Sequence, residues 1–288
     1  MKRKWKGKRM KVFTLNTHSW MEKEPLEKLE QLAQVILARD YDLFALQEVN
    51  QTIAEQTVET DNYFHPEALA GLSIHSDNFA LLLAESLRAK GINYYWCWTP
   101  VHIGYDKFHE GLALFSKEPI EAFGQVVSNK QEFADYRTRK VLLGKTMCKG
   151  HEVLALSCHN SWWTQKPDEG FFYEWQQTLK LLENFELPKI LLGDFNNSAE
   201  QRMEGYDLVK ETFLDVYVYA DEKDGEYTVN KEIDGWTGNS QSLRIDFIFT
   251  TETIQAKRYE VVFDGRKTPI ISDHFGVEAE LSIDNKEG

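Results

Sequence analysis

The sequence predicts an α/β protein of mixed sheets in one domain, and three observations carry that prediction. Apolar runs of strand length recur along the whole chain. The early runs are separated by segments with helical three-to-four spacing, whereas the later ones follow one another directly, so parallel crossovers and antiparallel pairs must coexist. No stretch rich in Pro, Gly and Ser divides the 288 residues, and no short-period repeat organises them.

Residues 12–15 read as a strand that ends in Asn16, Thr17 and His18. Pro25 opens a helix with Leu26, Leu29, Ala33, Ile36 and Leu37 on one face. Residues 43–46 form a second strand ending in Gln47 and Glu48, and the polar residues 50–76 an irregular connection. Ser76 or Asp77 caps a helix that carries Leu81, Leu82, Ala84 and Leu87 and stops at Gly91. The aromatic run 94–98 is strand-like. A loop with His102, His109 and Glu110 then leads to a strand over 111–116. Residues 139–147 and 153–157 pair through a turn at Lys149 and Gly150, and the second ends in Cys158, His159 and Asn160. Residues 169–184 are helical, with Phe172, Trp175, Leu179 and Leu182 on a face. The run 190–193 is a buried strand ending in Asp194, with Asn196 two residues on. After a mixed region come strands at 244–249, with Asp246 inside, and 259–263. Ile270 and Ile271 lead through Ser272, Asp273 and His274 to a closing strand, 275–281.

Bulk composition narrows the function classes. Hydrophobic residues at 42% and charged residues at 27% are ordinary for a soluble globular chain. A net charge of −13 argues against a protein whose main task is to grip long nucleic acid by its phosphates. The charge is uneven: Lys2, Arg3, Lys4, Lys6, Lys8, Arg9 and Lys11 crowd the start. Residues 1–10 are therefore expected to be a disordered basic tail, or an extension ahead of a start at Met10, in preference to a nucleic-acid or membrane-binding arm. No apolar segment of signal-peptide length follows, and no run approaches the ~18 residues of a membrane span. Cys97, Cys148 and Cys158 are odd in number, lack CxxC spacing and sit at apolar runs, so reduced core thiols in a cytoplasmic protein are expected.

A carboxylate at the end of a core strand has no packing reason to be there, because burying it unpaired costs several kcal/mol. At Asp194 a metal, a phosphate-binding role or a buried partner could offset that cost. Taken singly, each polar strand end reads as a turn residue or cap. Taken together, Glu48, Asp194, Asp246 and Asp273 would crowd four negative charges if the ends converge, and a divalent cation would relieve the repulsion. All-oxygen donors suit Mg²⁺, or Mn²⁺ in its place, and two His and two Asn nearby would supply donors to a developing anion.

Asn16 in Leu-Asn-Thr, Glu48 in Leu-Gln-Glu, the strand over 111–116, His159, Asp194 and Asn196 in Gly-Asp-Phe-Asn, Asp246 in Arg-Ile-Asp-Phe-Ile, and Asp273 with His274 in Ser-Asp-His follow one another in the order of the endonuclease/exonuclease/phosphatase superfamily. The resemblance spans residues 12–281. It implies a four-layer α/β sandwich, two mixed β-sheets face to face with helices outside, forming a single catalytic domain over 11–288. It also implies Mg²⁺-dependent hydrolysis of a phosphate ester. Glu48 would be the main metal ligand, with Asn16 beside it and Asp273 close by. Asp194 would be the general base toward water, Asn196 would hold the phosphate or nucleophile, and His274, oriented by Asp246, would donate to a phosphoryl oxygen. His159 would be a second phosphate contact.

That superfamily covers nucleases, sphingomyelinases and phosphatases, so the surface around the site must choose among substrates. The acidic charge and the lack of a basic-aromatic stripe disfavour nucleic acid as partner. Trp20 and the pair Trp162 and Trp163 directly follow motif residues, which suits stacking on a sugar ring, and Arg139, with Arg137 and Lys140, lies in the mid-chain segment where the resemblance implies a substrate-phosphate contact. Trp96 and Trp98 read as core. The segments starting at Asn16 and His159 look most like the bacterial branch containing maltose 6'-phosphate phosphatase. The expected activity is thus a Mg²⁺-dependent phosphatase on a small sugar phosphate, with no membrane partner. A metal-dependent nuclease or phosphodiesterase is the alternative.

Overall fold

Side chains alternate along a strand, so each buried strand feeds two apolar layers, and that parity builds this fold. A computed structural model describes residues 7–67, 71–233 and 236–283. In chain order the elements begin β1 (Arg9–Asn16), α1 (Pro25–Arg39), β2 (Leu43–Gln47), β3 (Gln51–Thr52) and α2 (Phe79–Ala89). They continue β4 (Tyr95–Gly104), β5 (Phe108–Ser116), β6 (Ile120–Val126), β7 (Lys140–Cys148), β8 (His151–His159) and α3 (Gly170–Leu182). Then come β9 (Lys189–Asp194), α4 (Gly205–Lys210), β10 (Leu214–Asp215), α5 (Val216–Tyr219) and β11 (Glu222–Asp224). Last are β12 (Asp246–Thr250), β13 (Ile254–Val262) and β14 (Gly276–Ile283).

One sheet runs β11-β13-β14-β1-β2-β5-β3, with β4 also paired to β5; the other runs β10-β12-β9-β8-β7-β6. Both are mixed. β1 pairs parallel to β2 across the α1 crossover, and β8 parallel to β9 across α3, while the hairpins pair antiparallel. Met10, Val12, Leu43 and Ala45 of the first sheet meet Val153, Ala155, Ile190 and Leu192 of the second in a central core. The opposite faces carry Phe13, Leu15, Phe44 and Leu46 under α1 and α2, and Leu154, Leu156 and Leu191 under α3 and α4. These are the four layers of the expected sandwich. No helix among the described residues is long and apolar enough to cross a membrane.

Several local expectations need correction. The basic residues 1–6 lie outside the described residues, but β1 already starts at Arg9, and Met10 is fully buried in the central core. His102, His109 and Glu110 are not in a loop. β4 and β5 form a continuous hairpin with Tyr105 and Asp106 in left-handed conformation at its tip, so His102 and Glu110 stand on strands. Asn78 caps α2, its side chain accepting from the N–H groups of Ala80 and Leu81. In α3 the inward residue is Phe171, not Phe172. Leu26 and Leu37 of α1 are exposed, and Leu32 takes the buried place beside Leu29, Ala33 and Ile36. Strand β6, half exposed at a sheet edge, escapes the reading by apolar runs. Asp246 opens its strand; it is not inside it.

Candidate active site

The parity that fills the core also aims the polar strand ends. Ile190 and Leu192 face the gap between the sheets, so Asp194 does too; Val153 and Ala155 set the same direction for Ser157 and His159, and Ile248 for Asp246. Pairing register then fixes their neighbours. Asp194 lies opposite His159 on one side and Asp246 on the other. In the facing sheet Asn16 lies opposite Gln47, beside Glu48. A polar layer divides apolar core from site: Thr14 Oγ1 donates to Gln47 Oε1 at 3.2 Å, Gln47 Nε2 to Ser157 Oγ at 3.0 Å, and Ser157 Oγ to Leu46 O at 3.1 Å. Gly193 is required where it stands, because its φ is +150° and a Cβ would fall on the Cys158 carbonyl. Glu48 and Asn196 take left-handed backbone at φ 52° and 49°, which turns the chain out of each strand.

Contacts tie the two sheets together here. Asn16 Nδ2 donates to Glu48 Oε1 at 2.8 Å and to Asp194 Oδ2 at 3.1 Å. The backbone N–H of Asn196 donates to Asp194 Oδ1 at 2.8 Å, while its amide donates to the Asn160 carbonyl at 3.0 Å and accepts from Trp236 Nε1 at 3.1 Å. His274 Nδ1 is 2.9 Å from Asp246 Oδ2, and Nε2 is 3.8 Å from Asp194 Oδ2. His159 Nε2 is 3.7 Å from Asp194 and 3.9 Å from Glu48, and its Nδ1 is 3.8 Å from Glu110. Ser272 Oγ donates to the Asn16 carbonyl at 2.7 Å, which pins the Ser-Asp-His turn to the end of β1.

The electrostatics separate the two histidines. Burial alone would strip the proton from His274, but the charges of Asp246 and Asp194 overcome it and hold the ring cationic well above its ordinary range. Burial, then the charge of Arg139, keeps His159 neutral. Burial first, and then Glu110 and Asp273, push the Glu48 carboxyl up to about 7. Burial and the facing Asp246 push Asp194 up to about 7 as well. Carboxylates that resist ionising at neutral pH are short of positive charge. Carboxylate oxygens such as those of Glu48 and Asp273 are of the kind a hard divalent cation takes, and such a charge would reverse that deficit; Asn16 turns its NH₂ to Glu48 and its Oδ1 to the His18 N–H. Two close sets of acidic and imidazole groups stand among the described residues, His18 with Glu22 and Asp273, and Asp194 with Asp246 and His274; in each the imidazole is already bonded to a carboxylate, Glu22 or Asp246.

A cavity of ≈ 640 Å³ opens over this cluster. Glu48, His159, Asp194, Asn196 and His274 floor it; Arg139 and Trp162 form one wall, and Tyr105, Asp106 and Tyr136 stand at its lining too. Asn16 and Asp246 lie behind, bonded to the floor residues, and Asp273 is 3.7 Å from His18 Nδ1. Trp20 and Trp163 do not line the cavity. The Trp20 indole donates to the Asp77 carbonyl at 3.0 Å and packs edge-on against Phe79, and Trp163 packs edge-on against Phe172 beside the outer layer of the second sheet. Residue reasoning passed over His102 and Glu110, which line the cavity once the hairpin is seen whole, and Trp236, whose only sequence signal is an indole in a polar segment.

The family model described as Endonuclease/Exonuclease/phosphatase family matches residues 20–274. Among solved structures, an endonuclease/exonuclease/phosphatase family protein from Leptotrichia buccalis C-1013-b is 30% identical with a TM-score of 0.81, covering 95% of this chain and 100% of that one. A mannosyl-6-phosphatase from Bacteroides thetaiotaomicron VPI-5482 is 21% identical with a TM-score of 0.65, covering 95% and 100%. TDP2 from Caenorhabditis elegans is 13% identical with a TM-score of 0.62, covering 95% and 74%. The last two likenesses are of fold. No curated protein matches the chain significantly.

Proposed function

The chain belongs to the endonuclease/exonuclease/phosphatase family, whose members hydrolyse phosphoesters with divalent metal ions, and on that premise we propose that it is a Mg²⁺-dependent phosphomonoesterase acting on a small sugar phosphate. The observation that carries this reading is the cavity. Its volume suits a phosphorylated mono- or disaccharide, its lining offers Tyr105, Tyr136 and Trp162 to the apolar face of a sugar ring, and Arg139 is the one lysine or arginine lining it among the described residues. A nucleic-acid backbone would ask for a line of cations. The named activity of the Bacteroides neighbour supports a sugar phosphate on this architecture, and maltose 6'-phosphate is the candidate the sequence resemblance suggests.

In this reading Glu48, with Asn16 and Asp273, would hold Mg²⁺, or Mn²⁺ in its place. When bound, the ion supplies Lewis-acid neutralisation of phosphate charge. Asp194, fixed by the N–H of Asn196 and the amide of Asn16, takes the proton of the attacking water. Asn196, held by Trp236 and Asn160, orients that water or the phosphate. Cationic His274, clamped by Asp246, donates from Nε2 to a phosphoryl oxygen as charge builds, and neutral His159 gives a second contact.

The test is phosphate release by purified protein with Mg²⁺ from maltose 6'-phosphate, glucose 6-phosphate, mannose 6-phosphate and a nucleotide, alongside plasmid nicking, each with and without EDTA. EDTA-sensitive release from a sugar phosphate, lost in Asp194→Asn, is the expected result. Plasmid nicking with silent sugar phosphates would overturn it in favour of a nuclease or phosphodiesterase.

A further inference from the structure

Arg139, Lys140 and Arg244 are the buried lysines and arginines among the described residues. Two of them are neutralised. Lys140 Nζ lies 2.7 Å from Glu67, and Arg244 Nη1 lies 2.7 Å from Asp215. Arg139, only 5% exposed, has no carboxylate at ion-pair distance among the described residues. Its guanidinium gives one hydrogen bond, from Nε to Ser161 Oγ at 3.3 Å, so both terminal NH₂ groups are unmatched. Glu174, behind Ser161, feels its charge but spends one oxygen on the Ser161 N–H and the Asn160 amide. A buried cation with idle donors is costly unless a counter-anion arrives.

The residue is also anchored: its backbone N–H donates to Ser128 Oγ at 2.8 Å and its carbonyl accepts from Val127 N–H at 2.9 Å, while its guanidinium carbon sits 5.9 Å from the Trp162 ring centre. It lines the cavity floored by His159 and His274, and its charge helps to keep His159 neutral. Arg139 therefore shares one cavity with the candidate reacting centre and is close enough for its charge to act on His159.

We propose that Arg139 is a specificity-determining residue that takes up the second negative charge of a phosphate monoester, and so fits this cavity to monoester dianions over diester monoanions. The inference rests on the phosphatase reading above. A monoester presents three non-bridging oxygens carrying two charges near neutral pH, and a guanidinium fork can hold two of them at once. A diester has lost one of those oxygens to its second ester bond. Trp162 keeps the fork's plane, and Ser161 fixes its roll. In a cavity floored by carboxylates, this is the group that makes a dianion the better guest.

The experiment compares wild type, Arg139→Gln and Arg139→Lys on p-nitrophenyl phosphate and on bis(p-nitrophenyl) phosphate with Mg²⁺. Calorimetric titrations with inorganic phosphate and with dimethyl phosphate run alongside. Arg139→Gln should lose roughly ten- to a hundredfold in kcat/KM on the monoester while staying within about threefold on the diester. It should bind inorganic phosphate about tenfold more weakly and dimethyl phosphate unchanged. Arg139→Lys, which keeps the charge without the fork, should fall between, and it carries the test if the glutamine variant does not fold. Equal losses on both esters, or unchanged phosphate binding, would overturn the assignment. A wild type that cleaves only diesters would defeat the phosphatase reading instead, and the two titrations would still decide what Arg139 binds.

Discussion

Asp246→Asn should separate catalysis from stability. Asp246 is fully buried, faces Asp194 across the β9–β12 pair, and holds His274 Nδ1 at 2.9 and 3.2 Å. Asparagine keeps the shape and removes the charge. The cationic ring loses a charge-assisted bond worth about 1.5–3 kcal/mol, and the asparagine NH₂ can face Nδ1 and impose the wrong tautomer. Together these should lower kcat by about 10²–10⁴, the span of a misplaced acid–base group. Folding responds in the opposite sense. Two fully ionised carboxylates ~5 Å apart at an effective dielectric of ~20 repel by at most about 3 kcal/mol, less where Asp194 stays protonated, and that repulsion disappears with Asp246's charge. The loss of the His274 bond offsets it, so the melting temperature should stay within about 3 °C of wild type. The assay is phosphate release at saturating Mg²⁺ and substrate, with thermal unfolding of the same samples. A kcat within threefold of wild type would refute the clamp on His274. A melting temperature lowered by more than about 8 °C would show that Asp246 is a structural residue.

Three further outcomes follow from the geometry. Mg²⁺ should raise the melting temperature of wild type in proportion to RT ln(1 + [Mg²⁺]/Kd), reaching about 2.7 kcal/mol at a hundredfold excess over Kd; Glu48→Gln should show no such rise, and an equal rise would remove Glu48 from the metal site. Arg244→Met leaves Asp215 buried and uncompensated, so urea unfolding should show a loss of about 3–5 kcal/mol, largely recovered in the Arg244→Met/Asp215→Asn double variant. Trp162→Ala should raise KM for the sugar phosphate about tenfold with little change in stability, whereas Trp20→Ala should cost about 3 kcal/mol or more of stability and leave KM near wild type; the reverse pattern would put the sugar platform at Trp20.

What was legible in the sequence was whatever a single strand could announce. Apolar runs ending in Asn16, Glu48, His159 and Asp194 stand out because a core strand has no other reason to end in such groups, and the structure brings Glu48, His159 and Asp194 to one cavity with Asn16 bonded behind them. Features that depend on a partner strand were hidden. His102 and Glu110 looked like loop residues because Gly104 and Asp106 interrupt the run, yet the hairpin pairs through them and turns them to the cavity. β6, with one half-exposed face at a sheet edge, had too few apolar residues to register as a run. The tryptophans show the same limit. Trp20 and Trp162 each follow a motif residue closely, but the chain turns at His18 and Ser19 with positive φ and carries Trp20 into the α2 layer. Adjacency in sequence gives no side-chain direction once the strand has ended.

The site is therefore best understood as the place where core packing stops being apolar without changing direction. Ile190, Leu192 and Asp194 point one way, as do Val153, Ala155, Ser157 and His159. A register slip of one residue would bury Leu191 and Leu156 in the gap and throw Asp194 and His159 outward, so the packing that selects the register also selects the site. The carboxylates cannot relax that arrangement without unpacking two sheets. This rigidity keeps Glu48 and Asp194 poorly ionised, through burial and the carboxylates that face them, and in the proposed function positive charge at the site would relieve it.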